Sequence, residues 1–487
     1  MRELRYYKYR GLCLCPLDGQ LPAGAEPAEP FGTPVYLIHR DPMTSSAISL
    51  GPSEGDVLSR LDAGRPMTAP TEEGALGGRP MTAPTGSVAC CPLPVASSGR
   101  PMTAPTEEGA LGGRPVTAPT DSVACCPLPV ASSGRPVTAP TGSVACCPLP
   151  VASSERPMTA PTGGIYVNTA FPKALDRLPG LLRPKLSGLK LTLVGLGDVG
   201  GTLLTALKLL GAPLIDEIAI YDPNEALCRR YELELNQVLD TPLPRITLAD
   251  PARLFDGDAF LFTAARGVPP VGASGDMRMV QFEKNRDMLK AYSRQAREAD
   301  FAGLFCQISD PVDLLARSVF LQTNRDENGV YDFRGQLPEQ IVGFGLGVMK
   351  ARADDMARRL GADCPQLAAY GPHGAGLVVA NHPTDYDPAL SAELTARTVG
   401  ANMEVRGLGF KPYIAPALSS ACLSILRLLR GEAFYGAVPM DGVWFGCRSR
   451  RELGCFRPIP QKLHPELAAR IQAAWQALRQ EEATCAG

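Results

Sequence analysis

From Leu189 onward the chain alternates short apolar runs with longer amphipathic ones. Leu189–Val194, Glu217–Tyr221, Ala259–Thr263 and Leu304–Ile308 read as strands, and Met277 to Arg297 has the spacing of a long helix. Strands that take turns with helical segments predict a parallel α/β sheet. Pro311 opens the next helical run, where its missing N–H costs nothing. Past Asn328–Gly329 the rhythm changes. Ile341–Phe344, Leu367–Tyr370 and Leu377–Ala380 are short apolar pieces; helical patterns follow at 388–407 and 416–430. A hairpin-like pair, Phe434–Val438 and Val443–Cys447, precedes a helix after Pro465. The second half therefore reads as an α+β domain.

Before Leu189 the pattern is weaker. Tyr6–Tyr9, Leu12–Leu14, Val35–Ile38 and Ile165–Val167 are strand-like, which points to a small β-rich module at residues 1–64. Residues 65–163 interrupt it. The heptapeptide Arg-Pro-(Met or Val)-Thr-Ala-Pro-Thr starts at Arg65, Arg79, Arg100, Arg114, Arg135 and Arg156, with spacings of 14, 21, 14, 21 and 21. The spacers carry the pairs Cys90–Cys91, Cys125–Cys126 and Cys146–Cys147. A proline every few residues and little bulky apolar content preclude a continuous core, so the composition predicts a disordered tandem-repeat insert. The alternative, a thiol-rich tether that binds metal, lacks ligand organisation. Residues 164–186 read as a linker, 187–330 as a dinucleotide-binding domain and 331–487 as a catalytic domain.

The first strand of that nucleotide domain ends in Gly195-x-Gly197-x-x-Gly200, and the second ends on Asp222, 22 residues past Gly200. Gly195 permits the tight turn, Gly197 lets backbone approach a pyrophosphate, and Gly200 lets helix pack on strand. The helix that begins at Asp198 and Val199 offers free N–H groups and a positive dipole end. Asp222 is placed to accept from the adenosine ribose, and its charge favours NAD over NADP. This context predicts a Rossmann-type domain with NAD as cofactor.

Composition changes this picture little. The chain has 487 residues, 45% hydrophobic, with formal net charge −2, so no overall field favours nucleic acid or an anionic membrane. No apolar run suits a membrane span or a secretory signal. Fifteen cysteines in such a chain read as reduced thiols, which points to the cytoplasm. No Cys or His pairs have zinc-site spacing, and no metal is expected.

Four motifs in register carry a resemblance to the lactate/malate dehydrogenase superfamily over residues 187–482. They are the glycine turn with Asp222; FTAARG at Phe262–Gly267 followed by Arg278 and a run ending at Asn285; ISDPVDLL at Ile308–Leu315; and IVGFGLGVMKAR at Ile341–Arg352 with GPHG at Gly371–Gly374. The resemblance implies a Rossmann-type domain followed by an α+β catalytic domain. It also implies hydride transfer between NAD(H) and a small 2-hydroxy or 2-oxo acid, in a homodimer or homotetramer. It makes His373 the acid/base, Arg352 the substrate carboxylate anchor and Arg278 the loop cation that polarises the substrate oxygen. Thr263, Ala264 and Ser309 join the cofactor-binding positions with Gly195, Gly197, Asp198, Val199, Gly200 and Asp222. Histidine suits proton exchange near neutrality, and a planar guanidinium can hold a carboxylate bidentately.

Two positions depart from the family pattern. Met349 stands where the family has the aspartate that supports the histidine, and methionine is a poor acceptor. Asp310 stands where the family has a substrate-orienting asparagine. One carboxylate leaves the pocket and another arrives, so we expect Asp310 to support His373. The lid segment between Arg266 and Arg278, GVPPVGASGDM, has no basic residue. The family's malate enzymes carry an arginine there, so a lactate-like monocarboxylate is expected. The competing reading is a catalytically impaired, NAD(H)-binding regulatory or scaffold protein.

Overall fold

The structure, a computed structural model, describes residues 6–10, 12–16, 21–28, 35–39, 48–50, 165–182, 185–238, 242–266 and 277–485. The chain divides into two compact units, Met1–Met67 with Met158–Gly487, and Thr68–Pro157. All described residues fall in the first unit. The repeat expected to be disordered and the lid segment at 267–276 lie outside them.

The first strands are β1 (Tyr6–Tyr9), β2 (Leu12–Pro16), β3 (Glu26–Ala28), β4 (Val35–His39), β5 (Ile48–Leu50) and β6 (Ile165–Asn168). They form one sheet in the order β3-β1-β2-β4-β6-β5. β6, which follows the repeat, pairs parallel to β4 and antiparallel to β5. The segment expected as a linker carries β6 and a helix, α1 (Ala174–Leu182). Ala174, Leu175, Leu178 and Leu181 are buried in the main core, so tertiary packing holds a helix despite Pro179 inside it.

The larger sheet opens with β7 (Leu189–Val194), followed by α2 (Asp198–Leu210), β8 (Ile215–Tyr221), α3 (Glu225–Leu235), β9 (Arg245–Leu248) and β10 (Ala259–Phe262). Then come α4 (Met277–Glu298), β11 (Leu304–Gln307), α5 (Val312–Thr323), β12 (Ile341–Gly343) and α6 (Leu346–Arg359). β12, β11, β10, β7, β8 and β9 lie side by side and parallel. That order is the doubly wound one, with the succession of strands reversing beside β7. β10 and β11 are buried at every position, as expected of central parallel strands covered on both faces.

The remaining elements are β13 (Ala368–Tyr370), β14 (Val378–Ala380), α7 (Pro388–Gly407), a π-helical segment (Pro416–Cys422), α8 (Leu423–Leu429), β15 (Phe434–Met440), β16 (Val443–Glu452), β17 (Cys455–Pro458) and α9 (Pro465–Cys485). β15 adds antiparallel to β12, so β15, β16 and β17 extend the same sheet. The single helix expected at 416–430 is divided. Pro416 has no N–H to give, and the first turns widen to π geometry before α8 resumes. No described helix is long and apolar enough to cross a membrane.

Candidate active site

The carboxyl ends of the parallel strands deliver the chemistry to one edge of the sheet, where doubly wound folds bind ligands. β7 ends at the glycine turn, β10 at Thr263, β11 at Ser309–Asp310 and β12 at the turn into α6.

The glycine turn is tightly built on one side and open on the other. Gly195 has φ +96°, and a Cβ there would lie 2.6 Å from the Ala264 nitrogen. A Cβ on Gly200 would lie 1.9 Å from the Gly195 oxygen. Gly197, in contrast, has no atom within 4 Å of an added Cβ, which leaves the space a pyrophosphate needs beside the α2 N-terminus. Thr263 Oγ1 donates to the Gly195 and Val194 carbonyls at 2.7 and 3.0 Å, clamping the turn to β10. Ser309 Oγ donates to the Ala264 carbonyl at 2.7 Å. Asp222 accepts from the Leu196 and Asn224 backbone N–H groups, each at 2.9 Å. A carboxylate has about four acceptor sites, so ribose hydroxyls can share it. Asp198, in the first turn of α2, pairs with Lys411 Nζ at 2.9 Å. Val199 packs against the core. The turn therefore fits a dinucleotide.

His373 lies in the Gly-Pro-His-Gly turn after β13. Gly371 adopts φ +93°, and its N–H donates to the Gly446 carbonyl at 2.8 Å. A Cβ on Gly345 would come within 2.7 Å of His373 Cβ, so the start of α6 abuts the histidine. The His373 N–H donates to Asp313 Oδ2 at 3.0 Å. Its ring Nδ1 lies 2.7 Å from Asp310 Oδ1, the contact expected from the sequence. Nε2 is buried and has no hydrogen-bond partner among the described residues. Burial pushes the imidazole's pKa down; Asp310, by charge and hydrogen bond, and Asp313 outweigh it, and the net shift is upward despite Arg352.

Arg352, on α6, is half-buried, and its Nη1 rests 3.9 Å from Met349 Sδ. The guanidinium forms no ion pair among the described residues. Burial lowers its pKa, and the charge of Asp310 partly restores it. Arg278 stands in the first turn of α4; its side chain lies outside the described residues.

Three supports escaped the sequence reading. Asp313 and Gly345 hold His373 as described. Asn285, fully buried on α4, accepts from the Arg266 N–H at 2.8 Å and donates to the Asp310 carbonyl at 2.7 Å. It joins Arg266, at the end of the segment after β10, to the residue that holds the histidine. Asn285 was visible as the end of a motif, but its bonds run to backbone groups that only the folded chain brings near.

Strand order and glycine turn define a doubly wound, Rossmann-type sheet, which β15, β16 and β17 extend beyond β12. The chain is similar in sequence to members of the lactate/malate dehydrogenase superfamily. An L-lactate dehydrogenase of Treponema denticola is 28% identical over 190 residues, 38% of this chain and 55% of that protein. One from Streptococcus equi subsp. zooepidemicus is 29% identical over 189 residues, 38% of this chain and 53% of that protein. The chain thus spans about half the length of the curated relatives it matches. The solved structure of a minor L-lactate dehydrogenase from Enterococcus mundtii matches with a TM-score of 0.51 at 17% identity, covering 61% of this chain and 98% of that one. That likeness is one of fold. No protein-family model matches the chain.

Proposed function

We propose that the chain is an NAD-linked oxidoreductase that interconverts a 2-oxo monocarboxylate and its 2-hydroxy partner. One observation carries the reading. Among the described residues Arg352, a half-buried guanidinium, forms no ion pair, and its charge acts on His373, whose buried Nε2 has no hydrogen-bond partner there. An unpaired buried cation is costly unless an anion is meant to join it.

When bound, NADH supplies the hydride for C2 of the oxo acid and becomes NAD+. Arg352 holds the substrate carboxylate through two parallel N–H···O bonds. As C2 gains the hydride, the carbonyl π pair moves onto oxygen, and His373 Nε2–H delivers the proton that completes the hydroxyl. The reverse direction uses neutral His373 as base. Arg278 is assigned the polarising role by family resemblance. The dehydrogenase relatives favour a small acid as substrate, and the absence of a basic residue between Arg266 and Arg278 favours one carboxylate rather than two.

A panel of 2-oxo acids with NADH, followed by loss of nicotinamide absorbance, tests the proposal. Turnover on monocarboxylates is expected to exceed that on dicarboxylates. Arg352→Leu should lower kcat/KM by about 10²- to 10³-fold, because it strands the substrate carboxylate. Met349 supports a second reading, a chain that binds NADH without turnover. Tight NADH binding with no oxidation on any acid would establish it.

A further inference from the structure

We infer that Asp310 is the positioning residue of His373, acting from the turn before α5 in place of the carboxylate absent at Met349 on α6, and that this carboxylate, 2.7 Å from Nδ1, favours the protonated ring that reduction of a 2-oxo acid requires. The statement about direction rests on the function proposed above; the statement about the ring does not.

The geometry assigns each part of the histidine a separate task. Nδ1 is engaged by Asp310 at 2.7 Å, and the backbone N–H by Asp313 at 3.0 Å. Both acids belong to one Asp-Pro-Val-Asp turn, so a four-residue segment fixes the ring and the main chain of His373 together. Nε2 is thereby left as the atom that can meet a substrate oxygen. Met349 cannot compete for the ring. It is buried, and its thioether lies against Arg352.

Among the described residues, the charged groups that act on His373 are Asp310 just before α5, Asp313 in the first turn of α5 and Arg352 from α6. The two acids favour the imidazolium, and Arg352 with burial opposes it. A substrate carboxylate seated on Arg352 would neutralise the opposing cation. Substrate binding and protonation of His373 therefore reinforce each other, which favours the carbonyl form of the substrate, since only that form takes a proton. The same arrangement exacts a cost in substrate contacts. An ionised carboxylate accepts hydrogen bonds and donates none. Asp310 cannot hold the substrate oxygen as an amide would, which leaves His373 Nε2–H as the donor contributed by this pair.

The test is a titration of His373 by nitrogen-resolved NMR on the full-length, histidine-labelled protein without substrate. His373→Gln identifies its signals. In Asp310→Asn the midpoint should fall by about 1 to 3 pH units relative to wild type, as expected when an ion-pair partner is removed. Adding Met349→Asp to that variant should recover part of the shift. The high-pH limb of kcat for oxo-acid reduction should move down in step. An unmoved or raised midpoint in folded Asp310→Asn, with circular dichroism as for wild type, overturns the assignment. Should that variant not fold, Asp310→Ser is read in the same way. If the midpoint falls while wild type oxidises NADH with no 2-oxo acid, the Asp310 assignment stands and the proposed reaction fails.

Discussion

Gly200 shows how little room the nucleotide turn leaves. A methyl group there would collide with the Gly195 carbonyl and approach Thr263 Oγ1 to 2.7 Å. Overpacking of this kind costs about 1–3 kcal/mol, and here it also displaces the backbone that meets a phosphate. Gly200→Ala should therefore weaken NADH binding, read by quenching or enhancement of nicotinamide fluorescence, and lower the melting temperature. Gly197→Ala meets no neighbour, so its effect on the melting temperature should be much smaller while NADH affinity still falls. At this scale the sequence was readable where a residue type is itself the signal. Glycines in a fixed spacing were legible as a tight strand-to-helix turn, and the structure forms that turn. The expectation that Asp310 supports His373 came from comparing two positions, and the structure places the two side chains in contact. Asn285, Asp313 and Gly345 were not readable as supports, because their partners are main-chain atoms or packing surfaces distant in sequence.

Elements with strong periodicity were legible almost to their ends. β7, α2 and β8 follow the expected strand–turn–helix–strand, and α4 begins at Met277 as its spacing predicts. Weak or contradictory local signals failed. β3 (Glu26–Ala28) contains a proline and no bulky apolar residue, and β9 (Arg245–Leu248) buries only Ile246, so neither carries the apolar run that marks the other short strands. α1 contains Pro179 and Gly180, both helix breakers, yet it folds because three leucines reach the main core. Its stability thus depends on burial rather than propensity. Leu178 is fully buried, and Leu178→Ala should cost about 2–5 kcal/mol in denaturant unfolding if α1 unfolds together with the rest of its unit. A loss much below that range would mean that α1 melts separately.

For the whole molecule, His373 links the site to stability. Its pKa is raised on folding, so the pair with Asp310 contributes stability that is fully present below the unfolded value of about 6.5. That contribution is lost as pH rises through the folded value. The melting-temperature gap between wild type and Asp310→Asn should accordingly be widest in mild acid and close toward alkaline pH; a gap that widens with pH would contradict the pairing. A different consequence follows from the seam between β5 and β6. Leu50 and Ile165 stand opposite each other in antiparallel register, so the sheet holds the two ends of the intervening sequence side by side. For a chain with no core of its own, as the composition of 65–163 predicts, closing such a loop costs only about 0.6 kcal/mol more per doubling of length. If the repeat has no core, copies of the heptapeptide can accumulate or vanish at little thermodynamic penalty, and closely related chains should then differ in repeat number before they differ in the strands on either side.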